Sequence, residues 1–141
     1  MSKRLPQLGK PDPTGSFKEY IKYYRSLRGW SEEDLATAAR IKQSELNKVT
    51  NRIRQNAQVD FLTCVCIALQ LNVEQSKDLM ARVERACSPS SKSHTAYIEL
   101  IEIYNKRPFN NDIDISIAAL NEADRFLRAR GLPSLPNVYA Y

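Results

Sequence analysis

Gln43, Ser44, Asn47, Lys48 and Asn51 stand at i, i+1, i+4, i+5 and i+8. A helix through them puts all five on one face and turns Leu46 and Val49 to the other. The amides of Gln and Asn can bond adenine through two atoms, and Lys reaches guanine acceptors, so this face has the chemistry of base-edge contact. Its surroundings are cationic: residues 40–54 hold Arg40, Lys42, Lys48, Arg52 and Arg54 against Glu45 alone. Such a stretch suits a polyanion. The plainer reading of the same residues is a solvated helix face.

Other chemistries have less to work with. Four glycines in 141 residues leave no Gly-rich phosphate loop or dinucleotide fingerprint. The single histidine, His94, has no nucleophile placed beside it and reads as a surface residue. Cys64 and Cys66 point apart on a helix and read as core packing rather than as a metal or redox site. Asp112 and Asp114 read as helix-start residues, and Glu99 with Glu102 as a solvated face, not as catalytic carboxylate pairs. Tyr20, Tyr23 and Tyr24 read as helix packing rather than base-stacking platforms. No enzyme, metal or cofactor is therefore expected. The net charge of +5 is uneven: residues 1–87 carry 15 basic and 10 acidic residues, residues 88–141 six of each. No apolar run approaches the ~20 residues of a membrane span, and no apolar core follows Lys3 and Arg4, so a cytoplasmic protein is expected.

The elements that would position the polar face are all helical. Residues 1–15, with Pro6, Pro11, Pro13, Gly9 and Gly15, read as a flexible arm, and its Lys3, Arg4 and Lys10 would suit a minor groove. Ser16 caps a helix with Phe17, Tyr20, Ile21, Tyr24 and Leu27 on one stripe, stopped by Gly29. Ser31 opens a short helix with acidic residues in its first turn. The pattern breaks at Arg40-Ile41-Lys42 and resumes from Gln43 to about Thr50. Residues 58–71 are apolar around much of a helix and read as a buried central one. Asn72 caps a helix of about 73–86, residues 88–93 read as a linker, and helices of about 94–106 and 113–130 follow. One domain of 16–87 and an extension of 88–141 are expected.

Two short helices joined by a tight turn, with an amphipathic helix before and a buried one after, describe a helix-turn-helix. Over about residues 17–86 the chain resembles the lambda repressor and Cro-type (XRE) DNA-binding family. The string from Arg25 to Ala36 is similar to the family's R-x-x-R-G-L/W-S-x-E-E/D-L-A pattern. Ile41, the Ser44–Leu46–Val49 stretch and Ile67-Ala68-Leu69-Gln70-Leu71-Asn72 fall at its turn hydrophobe, recognition helix and exit. Asn121-Glu122-Ala123 with Gly131-Leu132-Pro133-Ser134-Leu135 looks like the ending of some small bacterial regulators of that family.

The resemblance implies an all-α fold, a five-helix lambda-repressor-like bundle plus two C-terminal helices. It implies a transcriptional regulator that reads double-stranded DNA in the major groove. It places Lys42, Gln43, Ser44 and Lys48 at base edges with Asn47 close by, and Asn51, Arg52 and Arg54 at phosphates. The chain departs from the family at three places. Arg40 replaces the usual turn glycine and is expected to contact a phosphate instead. Glu32 replaces a glutamine that touches the DNA backbone. Thr50 replaces the glutamate that pairs with an arginine in many members, leaving Arg25 for another partner. The rival reading of the same fold is a protein-interaction module, antitoxin-like or anti-repressor. The extension carries Tyr97, Ile98, Leu100, Ile101, Ile103 and Tyr104, too much apolar surface for water, and is expected to pack on the core, on a second copy as a homodimer, or on both.

Overall fold

The computed structural model describes residues 9–51 and 57–139. They form seven α-helices and no strand: α1 (Phe17–Ser26), α2 (Glu32–Ala38), α3 (Gln43–Thr50), α4 (Val59–Ala68), α5 (Val73–Ala81), α6 (Lys92–Asn105) and α7 (Ile113–Ala129). Among the described residues no helix is long and apolar enough to cross a membrane.

Local chemistry sets the helix starts. The Ser16 hydroxyl accepts from Glu19 N, and Ser31 and Asp34 close a reciprocal box at α2. Asn72 and Gln75 do the same at α5; Ser91 caps α6 and Asp112 caps α7. The serine-rich stretch before α6 is thus shorter than its composition suggests.

Helix ends share one device. At Gly29, Arg40, Gln70, Glu84 and Gly131 the backbone is left-handed, with φ of 68°, 58°, 50°, 59° and 71°. Behind each, paired reverse bonds close the last turn; at Arg40 they are Ile41 N to Ala36 O (3.0 Å) and Arg40 N to Thr37 O (3.1 Å). Glycine adopts this conformation without strain, whereas a side chain costs up to about 1 kcal/mol. Three of the five ends therefore carry a strained residue. Two of those, Arg40 and Gln70, make long-range bonds through their side chains.

The core sits around α4, whose Leu62 to Ala68 are all buried. Helix α4 packs against α2, α5, α6 and α7, which explains its apolar circumference. Helix α7 lies against both α2 and α4. The residues after α6 and α7 are stitched to the first half. Gln70 Nε2 donates to the carbonyls of Tyr104 (3.1 Å), Arg107 (3.4 Å) and Pro108 (3.2 Å), while its Oε1 accepts from Asn110 N (3.1 Å). The Arg28 guanidinium is buried between the Trp30 and Phe109 rings and gives to Leu69 O and Asn110 O. Burial without a carboxylate partner pulls it down to about 10.

The N-terminal arm differs from the sequence expectation from Pro11 onward. Tyr20 Oη donates to Pro11 O (3.2 Å) and Asp12 O (2.9 Å). Arg82 donates to Pro13 O (2.9 Å) and Gly15 O (2.6 Å) and stacks on the Tyr20 ring. Two side chains, on α1 and just past α5, therefore fasten this stretch. Lys3 and Arg4 lie outside the described residues; Lys10 is exposed.

Candidate nucleic-acid interface

Helix α3 buries Leu46, Val49 and Thr50 and turns its other face outward. Lys42, Gln43, Ser44, Asn47 and Lys48 are all exposed on it, and Asn51 is exposed just beyond. The helix has no side-chain cap: Lys42 occupies the cap position without bonding the first-turn amides. Those amides and Lys42 leave a positive helix start. Lys48 Nζ lies 3.8 Å from Glu45 Oε1, a loose exposed pair that costs little to break.

Two of these polar residues are held from neighbouring helices. Asn47 Nδ2 donates to Glu32 Oε1 at 3.1 Å, and Thr50 Oγ1 to Glu32 Oε2 at 3.5 Å. Glu32 thus clamps the start of α2 to α3, a use its position in the sequence did not suggest. Its bond directs the Asn47 amide nitrogen toward α2. Asn51 Oδ1 accepts from Lys18 Nζ at 3.2 Å, which brings a cation of α1 to the end of α3. Lys18 lies off the apolar stripe of α1, and nothing in its spacing announces this meeting, which depends on how α1 crosses α3.

Arg40 is not available to a phosphate, contrary to expectation. It is 1% exposed, Nη1 bonds Asp124 Oδ2 and Asn121 Oδ1 at 2.8 Å each, and Nη2 reaches Pro136 O at 3.3 Å. Its carbonyl accepts from Val138 N at 3.0 Å. The turn between α2 and α3 is therefore locked to α7 and to the segment after it. A buried cation needs a buried anion, and here the anion lies 84 residues downstream. Arg25, which lacks a glutamate at position 50, gives Nη1 to Trp30 O at 3.1 Å instead. Arg52 and Arg54 lie outside the described residues.

The remaining candidates stay structural. Asp112 caps α7 through Asp114 N, and Glu99 pairs with Arg130 at 2.6 Å. His94 is half-buried rather than on the surface; its Nδ1 accepts from Ser88 N at 2.9 Å, so the neutral ring carries its proton on Nε2. Burial pushes the Cys64 and Cys66 thiols up, Cys66 to about 12. No group of three or more potential metal ligands occurs among the described residues. Compared with known proteins, the chain matches no family model, no curated protein and no solved structure.

Proposed function

We propose that this protein binds duplex DNA sequence-specifically and regulates transcription, with α2 and α3 as a helix-turn-helix and α3 in the major groove. On this reading α1–α5 are a lambda-repressor-like bundle and α6–α7 an extension to it. One observation carries the reading: α3 keeps a wholly exposed row of Lys42, Gln43, Ser44, Asn47 and Lys48 while its apolar side is buried. Lys42, Gln43, Ser44 and Lys48 read base edges, with Asn47 close by. Lys18 and Asn51, with Arg52 and Arg54, position the backbone. Arg40 has no part in it, because its guanidinium is consumed by Asp124.

Selection from a random duplex pool tests the proposal directly. An enriched sequence is expected, and a palindrome would add a homodimer. With Lys18, Arg52 and Arg54 at phosphates, affinity should fall with salt at a log–log slope of about −2.7. Gln43→Ala or Lys48→Ala should cost about 1–3 kcal/mol on the selected site only, whereas Lys18→Ala should weaken all sequences alike. Absence of binding to any duplex at low salt refutes the proposal and passes this surface to the protein-interaction reading.

A further inference from the structure

The described arginines fall into three groups. Arg40, Arg82, Arg107 and Arg130 each pair with a carboxylate. Arg25, Arg28 and Arg85 give to backbone carbonyls. Arg125 and Arg128 do neither. Both are exposed on α7, three residues apart and so on one face. Glu122, one turn before Arg125, already takes two bonds from Arg107, at 2.7 and 2.9 Å. Among the described residues the only polar partner of Arg128 is Ser134 Oγ, at 3.4 Å.

These two guanidiniums line an open cleft of about 400 Å³ between α7 and the segment after it. Asn121, Asp124, Ser134 and Asn137 supply its other polar groups. Nearly every acceptor among them is engaged inside the protein. Asn121 Oδ1 accepts from Arg40, and Asn137 Oδ1 from Tyr139 N at 2.9 Å. Both Asp124 oxygens are bonded, one to Arg40 and the other to Leu135 N at 2.9 Å. Ser134 Oγ accepts from Arg128, which leaves its O–H to donate. What the lining side chains have left to offer is mostly donors: two guanidiniums, the amide NH2 groups of Asn121 and Asn137, and the Ser134 hydroxyl. The one carboxylate is neutralised by Arg40.

We infer that this cleft is a binding site for a phosphate group. A tetrahedral anion with several oxygens matches side chains that chiefly donate, and paired arginines can give it charge-assisted bonds in fork geometry. The phosphate can belong to a free phosphate ester or to a nucleic-acid backbone. The site stands whether or not α3 reads DNA.

The experiment compares the full chain with its Arg125→Gln/Arg128→Gln variant by thermal unfolding, in inorganic phosphate and in sodium chloride of equal ionic strength. Phosphate stabilises many proteins weakly by exclusion from their surface, and that effect should be the same in both chains. The expected result is an extra rise in melting temperature in the wild type alone, with the variant's apparent affinity for phosphate about tenfold or more weaker. The two arginines are exposed, so the variant should keep its fold, which circular dichroism checks; Asn137→Ala gives an independent second variant with a smaller loss. An equal rise in wild type and variant overturns the inference. A second arm separates the sources. If the double variant also loses affinity for all duplexes alike, the phosphate is that of the DNA backbone. If duplex affinity is unchanged while the phosphate response is lost, a free phosphate ester is the ligand. If the wild type binds no duplex at all, the DNA proposal fails and the phosphate arm still decides this one.

Discussion

Replacing Asp124 with alanine should remove more stability than any other single polar substitution on α7. In the native protein the carboxylate meets Arg40 at 2.8 Å and accepts Leu135 N at 2.9 Å. The Arg40 and Asp124 side chains are 1% and 9% exposed, so solvent screens the pair little. Without the carboxylate, the guanidinium stays buried with only Asn121 Oδ1 and Pro136 O as acceptors. An uncompensated buried charge costs about 3–5 kcal/mol. The orphaned Leu135 amide adds about 1–3 kcal/mol, not fully additively. A loss of about 4–6 kcal/mol follows, against a typical total of about 5–15 kcal/mol. Urea unfolding followed by Trp30 fluorescence measures it; the indole Nε1 donates to Asn111 O at 3.0 Å and so reports on the same junction of core and extension. A cycle of Arg40→Gly and Asp124→Asn isolates the charge. Glycine relieves the left-handed backbone, and removing both ions leaves none buried alone, so the double variant should show a coupling of about 2–3 kcal/mol. A cost below about 1 kcal/mol for Asp124→Ala, or additivity within about 0.5 kcal/mol, would refute the account of a locked turn.

Three further outcomes are expected. Cys64 and Cys66 should resist a thiol reagent in the folded protein at pH 8 while half-buried Cys87 reacts; quantitative modification of all three without denaturant would contradict their burial. Because both buried thiols titrate far above their ordinary value of 9.0, they favour the folded state fully below pH 9. Above it, the unfolded chain loses these protons first, so stability should fall by about 1.4 kcal/mol per pH unit for each thiol, toward pH 12 for Cys66. A serine variant at either site with an unchanged alkaline limb would remove this explanation. Ending the chain at Cys87 strips α6 and α7 from α4 and exposes its apolar residues, so the fragment should lose its cooperative urea transition; a sharp transition would mean that the first five helices hold their own core.

What could be read from the sequence was local. Helix α3 runs over Gln43–Thr50 as its periodicity indicates, and Ser16, Ser31 and Asn72 cap helices because a cap is written within three residues. The exposed row on α3 was legible for the same reason. Helix α5 stops at Ala81 rather than near 86: its left-handed end falls at Glu84, where no glycine marks it. Apart from the Asp78 pair of Arg82, the side-chain partners of Arg40, Gln70 and Arg82 lie 34 to 96 residues away in sequence. Spacing carries no trace of such pairs. Arg40 therefore read as a surface cation in a basic stretch when it is a buried one. The neutral charge of the extension hid a local excess too, since Glu99 and Glu122 are spent on Arg130 and Arg107 while Arg125 and Arg128 keep their charge.

The strained ends at Arg40 and Gln70 also impose an order in time. Each holds a left-handed backbone; among the described residues the Arg40 side chain finds its partners at 121–136, and the Gln70 side chain, apart from a bond from Arg28, finds its own at 104–110. During synthesis, α2 and α3 leave the ribosome long before those partners exist. Until α7 and the segment behind it emerge, Arg40 has only water for its charge, and the turn between the two helices lacks the bonds that lock it to the rest of the fold. A nascent chain halted before that point displays the residues of α3 without the frame that aims them. The surface of α3 is thus set late, by residues made more than 80 positions after the turn that aims it.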